Sequence, residues 1–266
     1  MSGRLAGKVA VVTGAGSVGP GWGNGRAAAV IFAREGARVL AVDQSSEALT
    51  ETLAAVGESG GEIRPHLCDV TDSHAVEEMI GTCHEVFGGL DVLLNNVGGS
   101  RHGGAVELTE ADWHDQLDFN LTSTFLTCKY AIPVMLAAGK GAIINTSSTS
   151  GLRWTGAAQV GYSASKAGVI AFTRAVAVQH AAQGIRANTV VPGQMHTPMV
   201  EARLATQRAG GDVAGLLAQR QARIPLGFMG DGRDTANAAL FLASDEARFV
   251  TGTEIVVDGG MSARCD

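Results

Sequence analysis

The sequence predicts a doubly wound α/β fold, with seven parallel strands in one sheet and helices on both faces. Three observations predict it. Short apolar runs recur along the whole chain, with helical patterns between them. Most runs are continuous and β-branched rather than alternating, as in strands covered on both faces. The first run leads into a glycine-rich turn and then a helix, the opening of a βαβ unit.

The strand candidates are residues 9–12, 39–42, 63–68, 92–94, 142–144, 187–191 and 255–257. Between the third and fourth lies "DSHAVEEMIGTCHEVFGG". Here Val76, Met79, Ile80, Cys83 and Phe87 fall on one helical face. Asp72 or Ser73 is placed to cap its start, and Gly88–Gly89 to end it. No linker or composition break divides the chain, so residues 1–266 are expected to form a single domain. The exception in texture is 197–225, which carries "RAGGDVAG" and weak periodicity. It reads as a mobile helical insertion over the substrate.

Composition narrows the function classes. Apolar residues make up 45% of the 266, enough for a substantial core, and 17% charged residues argue against disorder. The net charge of −6 comes without any Lys/Arg cluster, which argues against nucleic acid as a partner. The four cysteines lack CxxC spacing and the seven histidines lack metal-ligand spacing. A reduced, cytoplasmic protein without a metal is expected, with no signal peptide and no apolar run long enough to span a membrane.

The glycine-rich turn, "TGAGSVGPGWGNGRAAA" at 13–29, sits where a dinucleotide's pyrophosphate would lie. Glycines let backbone N–H groups approach the phosphates, and the helix N-terminus adds partial positive charge. The next strand ends "RVLAVD" at Asp43, where a carboxylate accepts hydrogen bonds from a ribose diol and repels a 2′-phosphate. No Lys or Arg follows in "DQSSEA", and none lies between Thr13 and Asn24. NAD is favoured over NADP.

In "GYSASKAG", Tyr162 and Lys166 stand four residues apart on a predicted helix and share a face. A free phenol, with a pKa of about 10, is too weak an acid to serve as a base at neutral pH. A neighbouring ammonium lowers that value. Upstream, "IINTSSTSG" ends a strand and offers the hydroxyls of Ser147 and Ser148, either of which suits a substrate oxygen while Tyr162 moves the proton.

With these pieces in place the chain resembles a short-chain dehydrogenase/reductase of the single-domain, NAD-preferring kind. Matching motifs run nearly end to end: "TGAG…GNG", Asp43, "CDV", "NNVG", "DFNLTSTF", "NTSSTSG", "YSASK", "VPGQMHT" and "GTEIVVDGG". The resemblance implies a Rossmann fold and a catalytic tetrad of Asn120, Ser148, Tyr162 and Lys166. Tyr162 would be the acid/base. Lys166 would tune it and bind the nicotinamide ribose, and Ser148 would orient the substrate oxygen. Asn120 would hold a helix bend and a water in a proton relay. Ser148 is preferred to Ser147 because the family pattern puts Gly three residues later, at Gly151.

For the cofactor, the resemblance assigns Gly14 to the tight turn, and Gly23, Asn24 and Gly25 to the helix start. Asp69 and Val70 would flank the adenine. Asn96, Val97 and Gly98 would line the cofactor's path, and Pro192, Gly193, Met195 and Thr197 would fix the carboxamide. Family members are commonly homotetramers. Two departures stand out. Val97 replaces the usual Ala, and about five extra residues lengthen the glycine turn. That insertion, with Pro20 and Trp22, reads either as a surface bulge or as a lid with Trp22 over the cofactor.

The expected activity is reversible hydride transfer between NAD and a secondary alcohol. An NADPH-dependent 3-ketoacyl reductase shares the fold and tetrad, but Asp43 disfavours it. A non-catalytic NAD-sensing protein is disfavoured by the intact Ser148, Tyr162 and Lys166. A sugar-nucleotide epimerase needs more chain after Pro192. Residues 99–104, 152–160 and 196–225 should line the substrate pocket, offering Arg101, His102, Arg153, Trp154, Gln159, Gln194 and His196. For each of these, an ordinary solvated side chain is the stronger reading.

Overall fold

A computed structural model describes residues 3–57, 61–204 and 210–265. Its seven strands are β1 (Val9–Thr13), β2 (Arg38–Asp43), β3 (Glu62–Leu67), β4 (Val92–Asn95), β5 (Gly141–Thr146), β6 (Ile185–Pro192) and β7 (Glu254–Val257). All are parallel, in the order β3-β2-β1-β4-β5-β6-β7. The chain runs outward from β1 in one direction, then crosses back to β4 and runs outward in the other. The crevice at that reversal, beyond the carboxyl ends of β1 and β4, is where open α/β sheets bind ligands.

The helices are α1 (Asn24–Arg34), α2 (Ser46–Gly57), α3 (Ser73–Phe87), α4 (Glu110–Leu117), α5 (Ser123–Ala138), α6 (Val160–His180), α7 (Val213–Gln221) and α8 (Gly232–Ala243). On one face of the sheet, Val30 and Phe32 of α1 and Leu240 of α8 pack against Val12, Val39 and Ile144. On the other, Met79 and Cys83 of α3, Met135 of α5 and Val176 of α6 pack against Val11, Leu93 and Ile143. Alternate residues of the same strand therefore serve opposite cores, which is why the strand sequences are continuously apolar.

Helix α3 follows its amphipathic pattern. The Asp72 carboxylate accepts from the backbone N–H groups of His74 and Ala75, and Gly88 ends the helix in the left-handed region at φ 81°. Two expectations need correcting. First, β3 is exposed along much of its length, because it is an edge strand. Pro65, which has no N–H to donate, is tolerated there. Second, α4, a π-turn (Asp118–Thr122) and α5 form one helix from Glu110 to Ala138. It is long and apolar enough to cross a membrane, with a mean hydropathy of 1.3 in its most apolar window. Thr127, Cys128, Ala131 and Met135 on that helix are buried in the protein core, a packing that explains the apolarity.

The segment 197–225 carries helical structure among its described residues. It contains a π-turn at Val200–Leu204 and the helix α7, whose start is capped by Asp212 accepting from Gly215 N. Residues 205–209 of that predicted insertion lie outside the described residues.

Candidate active site

A cavity of about 1260 Å³ opens at the carboxyl ends of β1, β2 and β4. Gly14, with φ 63°, turns the chain sharply after β1. A side chain on Gly25 would run into the Gly14 carbonyl oxygen, so turn and helix start approach as closely as glycine allows. No side chain caps α1 at Gly23, and Gly23, Asn24 and Gly25 line the cavity. An uncapped helix start beside a glycine turn presents N–H donors to an anion, so these residues fit a dinucleotide pyrophosphate. Asn96 Nδ2 donates to Gly14 O at 3.2 Å, and Asn96 N to Thr13 Oγ1 at 3.1 Å, which ties β4 to the turn.

Asp43 lines the same cavity beside Gln44, Ser45 and Ala48. Its carboxylate accepts from Gly16 N at 3.0 Å and from Ser45 N at 3.1 Å. Gly16, inside the lengthened turn, lines the cavity as well. A Cβ there would sit 2.8 Å from Asp43 Oδ2, so the turn rests directly on the carboxylate. Val70, Val97 and Gly98 line the cavity, as does Cys68. Asp69 does not: its carboxylate is taken by the N–H and hydroxyl of Thr71, at 2.9 and 2.7 Å.

The inserted residues do not put Trp22 over the cavity. Trp22 packs against the core on the α1–α8 side of the sheet, with the Arg233 guanidinium 5.6 Å from its ring centre, while its carbonyl accepts from Gly232 N. Arg26, nearly buried, ties the loop down through Gly21 O at 3.0 Å and an ion pair with Glu51 at 2.6 Å. Between Gly16 and Gly23, which line the cavity at either end of the insertion, only Ser17 and Val18 line it too.

Tyr162 lines both this cavity and a smaller one of about 160 Å³. The Lys166 ammonium nitrogen lies 5.8 Å from the centre of the Tyr162 ring. Lys166 is buried, and burial pushes its pKa down to about 8. Its ammonium donates to Thr146 O at 2.9 Å, at the end of β5. The two serines separate cleanly. Ser147 Oγ is committed to the Lys166 carbonyl at 2.7 Å, whereas Ser148 lines the smaller cavity with Tyr162 and accepts from Ser150 N at 3.2 Å. Gly151 lets the turn after Ser148 lie against α6, since a Cβ there would come 2.7 Å from Lys166 C.

Asn120 sits in the π-turn, fully buried. Such turns recur at functional sites because they re-aim a side chain out of the helical ladder. Its Oδ1 accepts from Gly99 N at 3.0 Å; its Nδ2 donates to Gly99 O and Gln116 O at 3.1 and 2.8 Å. Asn120 thus clamps the chain after β4 onto the bend. Pro192 and Thr197 line both cavities, and Gly193 and Met195 the smaller one. Of the substrate candidates, Gln159 and Gln194 line the smaller cavity. Arg101 is bound to Asp112 at 3.0 Å and Asp115 at 3.6 Å, and His196 to Glu201 at 3.0 Å. Trp154 is 74% exposed. Asn95 and Asn145, which join β4 to β5 at 2.9 Å, were not assigned roles; nothing in one sequence pairs residues fifty positions apart.

A parallel sheet with a glycine-turn nucleotide cleft and a Ser–Tyr–Lys group at its switch point defines a Rossmann-fold oxidoreductase. The chain belongs to the short-chain dehydrogenase/reductase family. The family profile described as enoyl-(acyl carrier protein) reductase matches residues 20–262. Among its relatives is the 2,5-dichloro-2,5-cyclohexadiene-1,4-diol dehydrogenase LinX of Sphingobium indicum, 40% identical over 98% of this chain and 99% of its own. Another is the 3-oxoacyl-[acyl-carrier-protein] reductase FabG of Thermotoga maritima, 37% identical over 97% and 99%. A Burkholderia xenovorans structure assigned to the family superposes with a TM-score of 0.96, at 63% identity, covering 99% of this chain and 100% of that one. Levodione reductase superposes at 0.92, at 34% identity over 98% and 99%.

Proposed function

We propose that the protein is an NAD-dependent dehydrogenase that interconverts a secondary alcohol and its ketone, with Tyr162 as the proton acceptor. The observation that carries this reading is the position of Tyr162: it lines both the nucleotide-sized cavity and the small polar one, with a buried ammonium beside its ring. Bound in the larger cavity, a nicotinamide dinucleotide supplies the hydride acceptor.

The chain's own residues do the rest. Ser148 holds the substrate oxygen in the smaller cavity, and Tyr162 takes the hydroxyl proton as the carbinol C–H bond breaks. Lys166 stabilises the phenolate form of Tyr162. An ammonium beside the ring favours the charged form of the phenol. Asn120 keeps the β4 end in place through Gly99. NAD is favoured by Asp43, whose neighbours Gly16, Gln44, Ser45 and Ala48 offer no cation to a 2′-phosphate. LinX, a dehydrogenase of a cyclic diol, supports the alcohol as substrate class. The family resemblance supports a homotetramer.

Tyr162→Phe tests the reading. It should cut kcat by about a thousandfold, the middle of the range for a lost general base, while NAD still binds with nearly wild-type affinity by calorimetry. Retained turnover would remove Tyr162 from its role.

A further inference from the structure

The two cavities meet at residues that line both, among them Asn24, Tyr162, Pro192 and Thr197. Asn24 is the first residue of α1, and its neighbours hold it in place. A side chain on Gly25 would meet the Gly14 carbonyl oxygen, and one on Gly232 would come within 2.6 Å of the Gly23 carbonyl. The backbone is therefore pinned on both sides of Asn24, by the turn after β1 and by the start of α8. Gly23 O accepts from Ala27 N at 2.9 Å and closes the first turn of the helix.

An asparagine at a helix start ordinarily hydrogen-bonds nearby backbone groups. Asn24 does not: its Oδ1 is buried and accepts no hydrogen bond. A buried acceptor without a donor costs free energy, because it has given up water and gained nothing. Side chains around the glycine turn are engaged elsewhere. Asn96 Nδ2 donates to Gly14 O at 3.2 Å, and Ser17 Oγ to Gly19 O at 2.8 Å. The terminal torsion of an asparagine is soft, so its oxygen can turn toward a ligand at the junction. What the junction asks of that ligand is an N–H or O–H.

In the NAD-dependent reading above, the glycine turn takes the pyrophosphate and Asp43 the adenosine ribose, while the carbinol lies with Ser148 and Tyr162. Hydride passes between the carbinol carbon and the nicotinamide ring, so the ring falls where the cavities meet. The ring carries one donor group, the NH2 of its carboxamide, and the phosphates carry none at neutral pH. We propose that Asn24 Oδ1 accepts a hydrogen bond from that NH2 and so fixes the rotation of the ring about its ribose. The proposal rests on the NAD-dependent reading. It gives the Asn24 side chain a task separate from that of the helix-start backbone, which faces the phosphates.

The test measures binding by calorimetry, without substrate. NAD is compared with 3-acetylpyridine adenine dinucleotide, in which a methyl group replaces the NH2. The wild type should bind NAD more tightly by about fivefold or more. Asn24→Leu keeps the shape and loses the acceptor. It should lower that ratio by about fivefold, the worth of one neutral hydrogen bond, by weakening NAD and leaving the analogue within about twofold. Asn24→Asp keeps an acceptor and should keep the ratio, even where its charge weakens both dinucleotides. An unchanged ratio in Asn24→Leu, or a wild type that does not distinguish the two, overturns the proposal. Equal weakening of both also overturns it, and assigns the side chain to the phosphates. If Asn24→Leu does not fold, Asn24→Ala carries the same comparison. A wild type that binds neither dinucleotide would sink the NAD-dependent reading itself, whereas NAD binding without discrimination sinks the role of Asn24 alone.

Discussion

A methyl group at position 98 would lie 2.7 Å from Asn120 Oδ1 and 2.8 Å from Lys166 Nζ. Gly98 therefore leaves room for the Asn120 amide and the Lys166 ammonium beside the end of β4. The sequence shows "NNVG" as a motif, but the reason for the glycine lies 68 positions downstream and is visible only once α6 packs beside β4. The preference for Ser148 over Ser147, in contrast, rests on a local feature, the glycine three residues on at Gly151. Lys166 carries an energetic cost of its own. Burial lowers its pKa from 10.5 to about 8, so keeping it charged in the folded state at pH 7 costs on the order of 3 kcal/mol. Below about pH 8 both folded and unfolded chains hold the proton and that cost is present in full. Between about 8 and 10.5 the unfolded chain binds more protons, so this group's penalty is relieved as pH rises. In urea denaturation, the stability of Lys166→Met relative to wild type should therefore fall by about 3 kcal/mol between pH 7 and pH 10.5. A difference that stays flat across that range would show that the lysine is not buried as a cation.

At the scale of elements, helix α3 was readable from its sequence because its cap, its apolar stripe and its terminal glycines are all local. The insertion after Gly14 was not. Its fate is set by Arg233 and Gly232 at the start of α8, more than two hundred residues away, which draw Trp22 onto the core. An added loop costs little closure entropy, so a long-range contact of this size decides where it lies. Trp22→Ala should accordingly lower stability by about 2 kcal/mol, the worth of a large apolar side chain's burial, as measured by chemical denaturation. It should leave the KM for NAD within about twofold, a change of about 0.4 kcal/mol. A raised KM with unchanged stability would restore the lid.

Across the whole molecule, the order of strands was legible only as a class. Continuous β-branched runs identify a parallel sheet, but they do not say which strands form its edges. The exposure of β3 follows from its place at the sheet margin rather than from its residues. The reversal between β1 and β4 brings the glycine turn, Asp43 and the Tyr162 group around one crevice. Ligand binding there should stabilise the entire fold. At a hundredfold excess over Kd, bound NAD adds about 2.7 kcal/mol, and at equal concentration NADP should add less. Asp43→Ala should narrow or reverse that order in a thermal-unfolding comparison; an unchanged order would exclude Asp43 as the selector.

The central claim is that the buried Lys166 ammonium acidifies Tyr162. The chain has two tyrosines, and Tyr130 is the other, its hydroxyl 2.9 Å from Ser73 Oγ. NMR of protein carrying 13Cζ-labelled tyrosine, assigned with Tyr130→Phe and recorded with NAD present, follows each phenol through its titration. The account predicts that Tyr162 ionises below the ordinary phenol value of about 10, and that Lys166→Met moves it back toward that value. A Tyr162 resonance that titrates near or above 10 in the wild type, unmoved by Lys166→Met, would contradict it.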